Sequence, residues 1–202
     1  MKIGTLSEML VNGQLKIWGA FDDGTKIDCV VLLPLYYISL QGVNQPPRPI
    51  AAATYGGQGL PNNMVTALRV QNITAEPKRK ALGSYLMLRA AERAKSGGVN
   101  HLLAMKVNPT TNGWYARMGF TEYDSAETLH VLNQRETQIK QLLLNAPNQD
   151  HVAMLSPALE DVMTRKADMI RFAVVDTVIA RARADWDARW ERDGKGWKSK
   201  GT

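Results

Sequence analysis

Hydrophobic positions along the chain recur with two periods, and each predicts its own kind of element. Residues Leu6 to Leu15 are compatible with a short opening helix capped by Thr5 or Ser7, followed by a strand from Leu15 to Phe21. The cluster Asp22-Asp23-Gly24-Thr25 is a tight-turn signal, because Asp and Gly tolerate the positive φ of hairpin turns. Lys26 to Leu33 reads as the returning strand, and Leu35 to Leu40 extends it past a bulge at Pro34. Met64 to Ile73 alternates moderately and reads as a third strand. From Gly83 to Lys95 the period becomes helical: Leu82, Leu86, Ala90 and Ala94 stand four apart, and Ser96-Gly97-Gly98 stops the run. His101 to Val107 reads as a strand, Thr111 to Arg117 as a short helix, and Phe120 to Tyr123 as the start of another strand. A hairpin followed by strand, helix, strand, helix, strand implies a mixed α/β sheet.

Beyond Asp124 the pattern changes. Thr128 to Leu144 fits strand or helix, with helix favoured from Arg135, and Ala146-Pro147-Asn148 breaks it. Ser156-Pro157 then predicts the start of a long helix. Serine is a good N-cap, proline suits the first helical position, and Glu160 and Asp161 suit the positive end of the dipole. No Gly or Pro occurs from Ala158 to Arg192, so this helix would be about 50 Å long. Its apolar stripe, from Leu159 through Val162, Met169, Ala173 and Val178 to Ala182, exceeds what a small core covers. The expected division is therefore a domain over 1–127 and a helical extension over 128–202. Trp186, Trp190 and Trp197 fit an interface or a frayed amphipathic end equally well.

Composition narrows the class. Of 202 residues, 45% are apolar and 22% charged, which is globular rather than disordered. The longest apolar stretch, Cys29 to Leu40, is too short to span a bilayer and contains Pro34. The start of the chain has no uncharged h-region, so a cytoplasmic protein away from membranes is expected. The single cysteine, Cys29, excludes an internal disulfide framework and a cysteine-rich zinc module. His101, His130 and His151 are scattered without metal-ligand spacing, so no metal is expected.

Charge is concentrated. From Arg69 to Arg117 there are nine basic and two acidic residues, a surplus above the +6 of the whole chain. Within it, Lys78-Arg79-Lys80-Ala81-Leu82-Gly83-Ser84 lies between a strand and a helix start. Free backbone N–H groups, a favourable dipole, small residues and three adjacent cations make an anion cradle, or else a solvated basic turn. A second segment, Asn108-Pro109-Thr110-Thr111-Asn112-Gly113-Trp114-Tyr115-Ala116-Arg117-Met118-Gly119-Phe120, follows the His101 strand. By itself, Tyr115 there reads as an amphipathic tyrosine packed beside Trp114 and Phe120.

Together these segments resemble the GNAT superfamily of acyl-CoA-dependent N-acyltransferases. The family's Gln/Arg-x-x-Gly-x-Gly/Ala loop falls on Lys78 to Gly83, with Lys78 for Gln/Arg and Ala81 for the first glycine. Its Asn-x-x-Ala-x-x-x-Tyr-x-x-x-Gly-Phe run falls on Asn108, Thr111, Tyr115, Gly119 and Phe120, with Thr111 for the alanine. The resemblance spans Leu15 to Tyr123 and implies a mostly antiparallel central sheet flanked by helices. It implies that acetyl-CoA (CoA) is the cofactor, its pyrophosphate held by backbone amides from Arg79 to Ser84. Lys78, Arg79 and Lys80 would add charge, and Asn108 would cap its turn or touch the pantetheine arm. The Ile73 N–H would meet the thioester carbonyl, and Tyr115 would give the leaving thiolate its proton. The attacking amine must be neutral, and the residues single out no base among Glu76, Asp22, Asp23 and Glu122.

The function so implied is acetyl transfer from the CoA thioester to an amine by direct attack. The acceptor would be an amine-bearing small molecule or a protein. The loop holding Pro46, Pro47, Pro49 and Gly56-Gly57-Gln58-Gly59 would line its cleft. The alternative is an inactive GNAT-like module that oligomerises or binds a protein through its C-terminal helix. Nucleic-acid binding has only the basic charge in its favour, without helix-turn-helix, zinc or RNP-like signatures.

Overall fold

The structure, a computed structural model, describes residues 1–39, 49–51, 64–78, 80–105, 107, 109–122, 126–168 and 171–201. The proposed glycine-rich acceptor loop, Pro46 and Pro47, Arg79 and Asn108 lie outside them.

A mixed α/β architecture is present, with a mostly antiparallel sheet flanked by helices. The chain opens not with a helix but with a hairpin. Strand β2 (Ser7–Val11) pairs antiparallel with β3 (Gln14–Ala20) across Asn12-Gly13, both at positive φ. That dipeptide is a strong hairpin signal, and it overrides the helical spacing of Leu6, Leu10 and Leu15. Strand β3 pairs in turn with β4 (Lys26–Leu32) around the Asp22–Thr25 turn. Alternation puts Leu15, Ile17, Ile27, Cys29 and Val31 in the core. Past Pro34 the chain resumes as β5 (Leu35–Ser39), and both β4 and β5 pair with the same long strand, β7 (Met64–Glu76). A short β6 (Pro49–Ala51) flanks β5.

From β7 the chain passes through α1 (Leu82–Ser96) to β8 (His101–Ala104), which runs parallel to β7. Leu82, Leu86, Met87, Ala90, Ala91 and Ala94 of α1 are buried against the sheet. A 3₁₀ turn at Pro109–Thr111 leads into α2 (Asn112–Arg117). Gly119, at φ 94°, ends it, and a Cβ there would stand 2.8 Å from the Thr177 methyl. Strand β9 (Thr121–Glu122) follows.

The single 50 Å helix does not form. Residues after Glu122 make α3 (Ala126–Leu144) and α4 (Gln149–Asp168), which pack on each other, so the expected boundary at 127/128 falls inside α3. Helix α4 starts before Ser156. Pro157 lies inside it, and the Ser156 hydroxyl donates to the Val152 carbonyl instead of capping. Strand β10 (Arg171–Val174) then enters the main sheet between β8 and β9, and α5 (Val175–Asp187) packs along α1. The stripe expected to need outside cover is thus divided. Val162 is buried in the α3–α4 pair, and Val178, Ala182 and Trp186 are buried on the sheet's helical layer.

The tail is not a frayed end, although Lys195, Lys198 and Lys200 are exposed on it. Strands β11 (Trp190–Asp193) and β12 (Gly196–Ser199) form a hairpin, and β12 pairs with β1 (Lys2–Ile3). Gly196 is required there, because a Cβ would lie 2.3 Å from the Ile3 carbonyl oxygen. Trp186, Trp190 and Trp197 join Tyr85 and Phe21 in one aromatic cluster, centroid separations running from 4.6 to 6.1 Å. Among the described residues no helix is long and apolar enough to cross a membrane.

The edge strand β2 is fastened to α1 by charge. Arg89 donates to Glu8 through Nε at 2.6 Å and Nη2 at 2.8 Å, and Arg93 adds a bond at 2.5 Å. Hydrogen bonding from Arg89 above all holds the Glu8 carboxyl at about 2, against partial burial that pushes it up. A carboxylate held down contributes stability above its unfolded pKa, near 4.5, and loses it as pH falls toward 2. We expect Glu8→Gln to lower Tm by about 1–4 °C at pH 7. Thermal melts from pH 7 to 2 should show that gap closing; a gap that persists at pH 2 refutes the linkage.

Candidate functional site

The site is built around a change of partner along β7. Residues Ala67 to Val70 pair with His101 to Ala104, and among the described residues no parallel pair follows Val70–Ala104. On its other edge β7 leaves β5 after Leu68 and joins β4 from Gln71 to Glu76. The β4 register slips there: one residue, Val31, faces two, Asn72 and Ile73, and Asn72 takes φ 50°. This is a β-bulge, which bends the strand and breaks the regular ladder. Ile73, half-buried, therefore stands where β7 and β8 have parted.

Helix α1 begins at the mouth of this opening. Its N-cap, Ala81, adopts the left-handed conformation at φ 57°, ψ 14°, and offers no side-chain cap. Alanine thus takes a conformation that glycine would adopt at little cost. The first intrahelical donor is the Tyr85 N–H, bonded to the Ala81 carbonyl at 3.0 Å. The N–H groups of Leu82, Gly83 and Ser84 precede it and have no acceptor within the helix. The Trp190 indole N–H donates to the Lys80 carbonyl at 3.0 Å and pins the approach.

A cleft of about 570 Å³ opens onto this turn. Lys78, Ala81, Gly83 and Ser84 form one side, and Thr111, Trp114 and Arg117 of the α2 region another. Asp185 and Arg189, on and just after α5, close it. Gly83 lies against Trp114, whose ring would be 3.5 Å from an added Cβ. Lys78, Arg117 and Arg189 supply three cations against one carboxylate. That carboxylate is tied down: buried Ser84 donates its hydroxyl to Asp185 at 2.5 Å. Beside it, a cavity of about 190 Å³ gathers Lys80, Arg189 and Lys200.

The structure therefore brings together Lys78, Ala81, Leu82, Gly83 and Ser84 around one cleft, with Lys80 just outside it. Tyr115 is placed differently. It is 6% exposed, in the core, with Trp114 and Phe120 edge-on at 4.9 and 5.2 Å, and it does not line the cleft. Burial pushes its phenol up to about 12, offset in part by Arg171. Asp185 and Arg189 carry no signal in the sequence, and Trp190 reads there only as an interface or a frayed end. Their placement follows from the packing of α5 on α1, which no local pattern announces.

Comparison with known proteins adds little. No family model matches the chain, and no curated protein does. A crystal structure described as a bacterial toxin aligns over 84% of this chain and 72% of its own, with 11% identity and a TM-score of 0.43. A likeness of that size fixes neither fold nor activity.

The strained cap is testable. Ala81→Gly should raise stability by up to about 1 kcal/mol in urea melts, whereas Ala81→Val should lower it by more, since a β-branched residue fits φ 57° worse. Equal stabilities for all three variants would show that the left-handed cap is not populated.

Proposed function

We propose that this chain is an acetyl-CoA-dependent N-acetyltransferase of the GNAT type, acting on an amine of a small molecule or protein. One observation carries the reading: an uncapped helix N-terminus opens onto a cationic cleft at the C-terminal ends of two parallel strands that diverge. Backbone donors and cations at such a place suit a diphosphate. The residues present fit that group, with net positive lining and no bulky side chain at Ala81 or Gly83.

In this reading the N–H groups of Leu82, Gly83 and Ser84 bind the diphosphate, and Lys78 and Lys80 add charge. Arg79 and Asn108 keep the roles the resemblance implies. The bound coenzyme supplies the activated acetyl thioester. The Ile73 N–H, beside the bulge, would donate to the thioester carbonyl oxygen, where charge accumulates during attack. Tyr115 stays protonated at neutral pH. The structure buries it outside the cleft, so its part as donor to the departing sulfur rests on the resemblance alone, and with its phenol near 12 against a thiol near 8.5 that part would be a hydrogen bond more readily than full proton transfer.

A second reading, a non-catalytic GNAT-like module, is favoured by Asp185. Its carboxylate occupies the turn where the diphosphate would sit. In that reading helices mediate association, either as homo-oligomer or with another protein. Helix α5 is consumed on α1, so the candidate surface is the α3–α4 pair, where Leu142, Leu144 and Met154 are exposed.

Calorimetry with acetyl-CoA separates the readings. Binding is expected, weakened about tenfold or more when Lys78 and Arg189 are both changed to Glu. The absence of heat at high micromolar coenzyme would leave the second reading. Given a measurable acetylation assay, Tyr115→Phe should lower kcat about 10²-fold with coenzyme affinity unchanged; an unaltered rate removes Tyr115 from the mechanism.

A further inference from the structure

Of the two cationic hollows at the start of α1, only the smaller is without a carboxylate. In the cleft of about 570 Å³, Asp185 stands among Lys78, Arg117 and Arg189 and accepts the Ser84 hydroxyl. The cavity of about 190 Å³ shares Arg189 with that cleft and adds Lys80 and Lys200. Among the described residues no acidic side chain lines it. Three cations around one small space repel one another, so an anion entering it is held by all three.

Main-chain bonds fix this cluster, although its members come from three separate segments. The Trp190 indole N–H donates to the Lys80 carbonyl at 3.0 Å, and the Lys200 N–H donates to the Arg189 carbonyl at 3.0 Å. The charges can be reached: Lys80 is half-buried, and Arg189 and Lys200 are exposed. The Lys200 ammonium gives one of its protons to the Asp187 carbonyl at 2.5 Å and keeps two for another acceptor. Among the described residues neither Lys80 nor Lys200 enters an ion pair. Asp23 is the carboxyl that Lys80 influences; the Thr25 backbone N–H above all lowers it, and Lys80 contributes least.

We propose that the cavity of Lys80, Arg189 and Lys200 is a site for a terminal phosphate group, a phosphate monoester. Such a group offers three acceptor oxygens, which suit a planar guanidinium fork and two ammonium groups. The cavity has the volume of about six waters, room for one phosphate group. The site does not itself rest on the coenzyme reading. Where that reading holds, the shared Arg189 brings the cavity within the span of one ligand, and the coenzyme's phosphate monoester is the occupant. Where it fails, the occupant is free phosphate.

Calorimetry in phosphate-free buffer of low salt compares CoA with dephospho-CoA, which differ only in that group. CoA should bind about tenfold more tightly. Lys200→Ala and Lys80→Ala should each bring the ratio of the two affinities close to one, whereas Lys78→Ala should weaken both coenzymes and leave the ratio. A ratio near one in the unaltered protein, or one that survives both substitutions, overturns the site and leaves the coenzyme reading standing. Binding of neither coenzyme defeats that reading instead. The site is then decided by thermal melts in phosphate against chloride at equal ionic strength. A rise in Tm with phosphate that Lys200→Ala abolishes, with circular dichroism unchanged, supports it. No rise, or the same rise in the variant, overturns it.

Discussion

A single strand held by different neighbours along its length is the constraint on which the rest depends. Backbone N–H and C=O groups must be paired, so β7 can belong to two half-sheets only by exchanging partners in mid-course. It leaves β5 and β8 near Val70 and, among the described residues, is carried onward by β4, with the extra residue at Asn72–Ile73 absorbing the turn. Where β8 no longer accompanies it, the sheet cannot be continuous. The helix that follows β7 starts at that gap, and its unpaired amides are directed there by chain connectivity rather than by any one side chain.

The C-terminal third braces this arrangement from outside. Helix α5 reaches α1 through Asp185 and Ser84, reaches α2 through Arg181 on the Ala116 carbonyl, and fills the space beside Gly119 with Thr177. Trp190 holds Lys80. Stability and the shape of the cleft are therefore a shared property of residues far apart in sequence. The Ser84–Asp185 bond illustrates the tension: it secures two helices by placing negative charge where an anion would otherwise be welcome.

What could be read beforehand was local. The Asp22–Thr25 turn, the alternation of Leu15, Ile17, Ile27 and Cys29, and the four-residue spacing of Leu82, Leu86, Ala90 and Ala94 are signals contained in short windows, and each element forms where its window places it. Strand β10 had no such signal. Arg171 to Val174 lies between two helix-favouring stretches without a Gly or Pro, and only pairing with β8 and β9 makes it a strand. Pro157 misled for the same reason: a helix already under way from Gln149 tolerates it, whereas in isolation it marks a beginning. Around the candidate site, Lys78 to Ser84 was visible as a cationic turn before a helix. Asp185 and Arg189 were not, because their meaning comes from what α5 lies against.

The pairing of β1 with β12 joins Lys2 to Lys198 and Ile3 to Trp197, roughly 195 positions apart. Closing so large a loop has a modest equilibrium cost, since the entropy grows only with the logarithm of length, but contacts this remote are slow to find. The small three-stranded sheet is then a clasp that fastens after the main body has assembled. Until it does, the aromatic cluster lacks its outer ring, and Tyr85 and Trp186 stand without the Trp197 indole beside them.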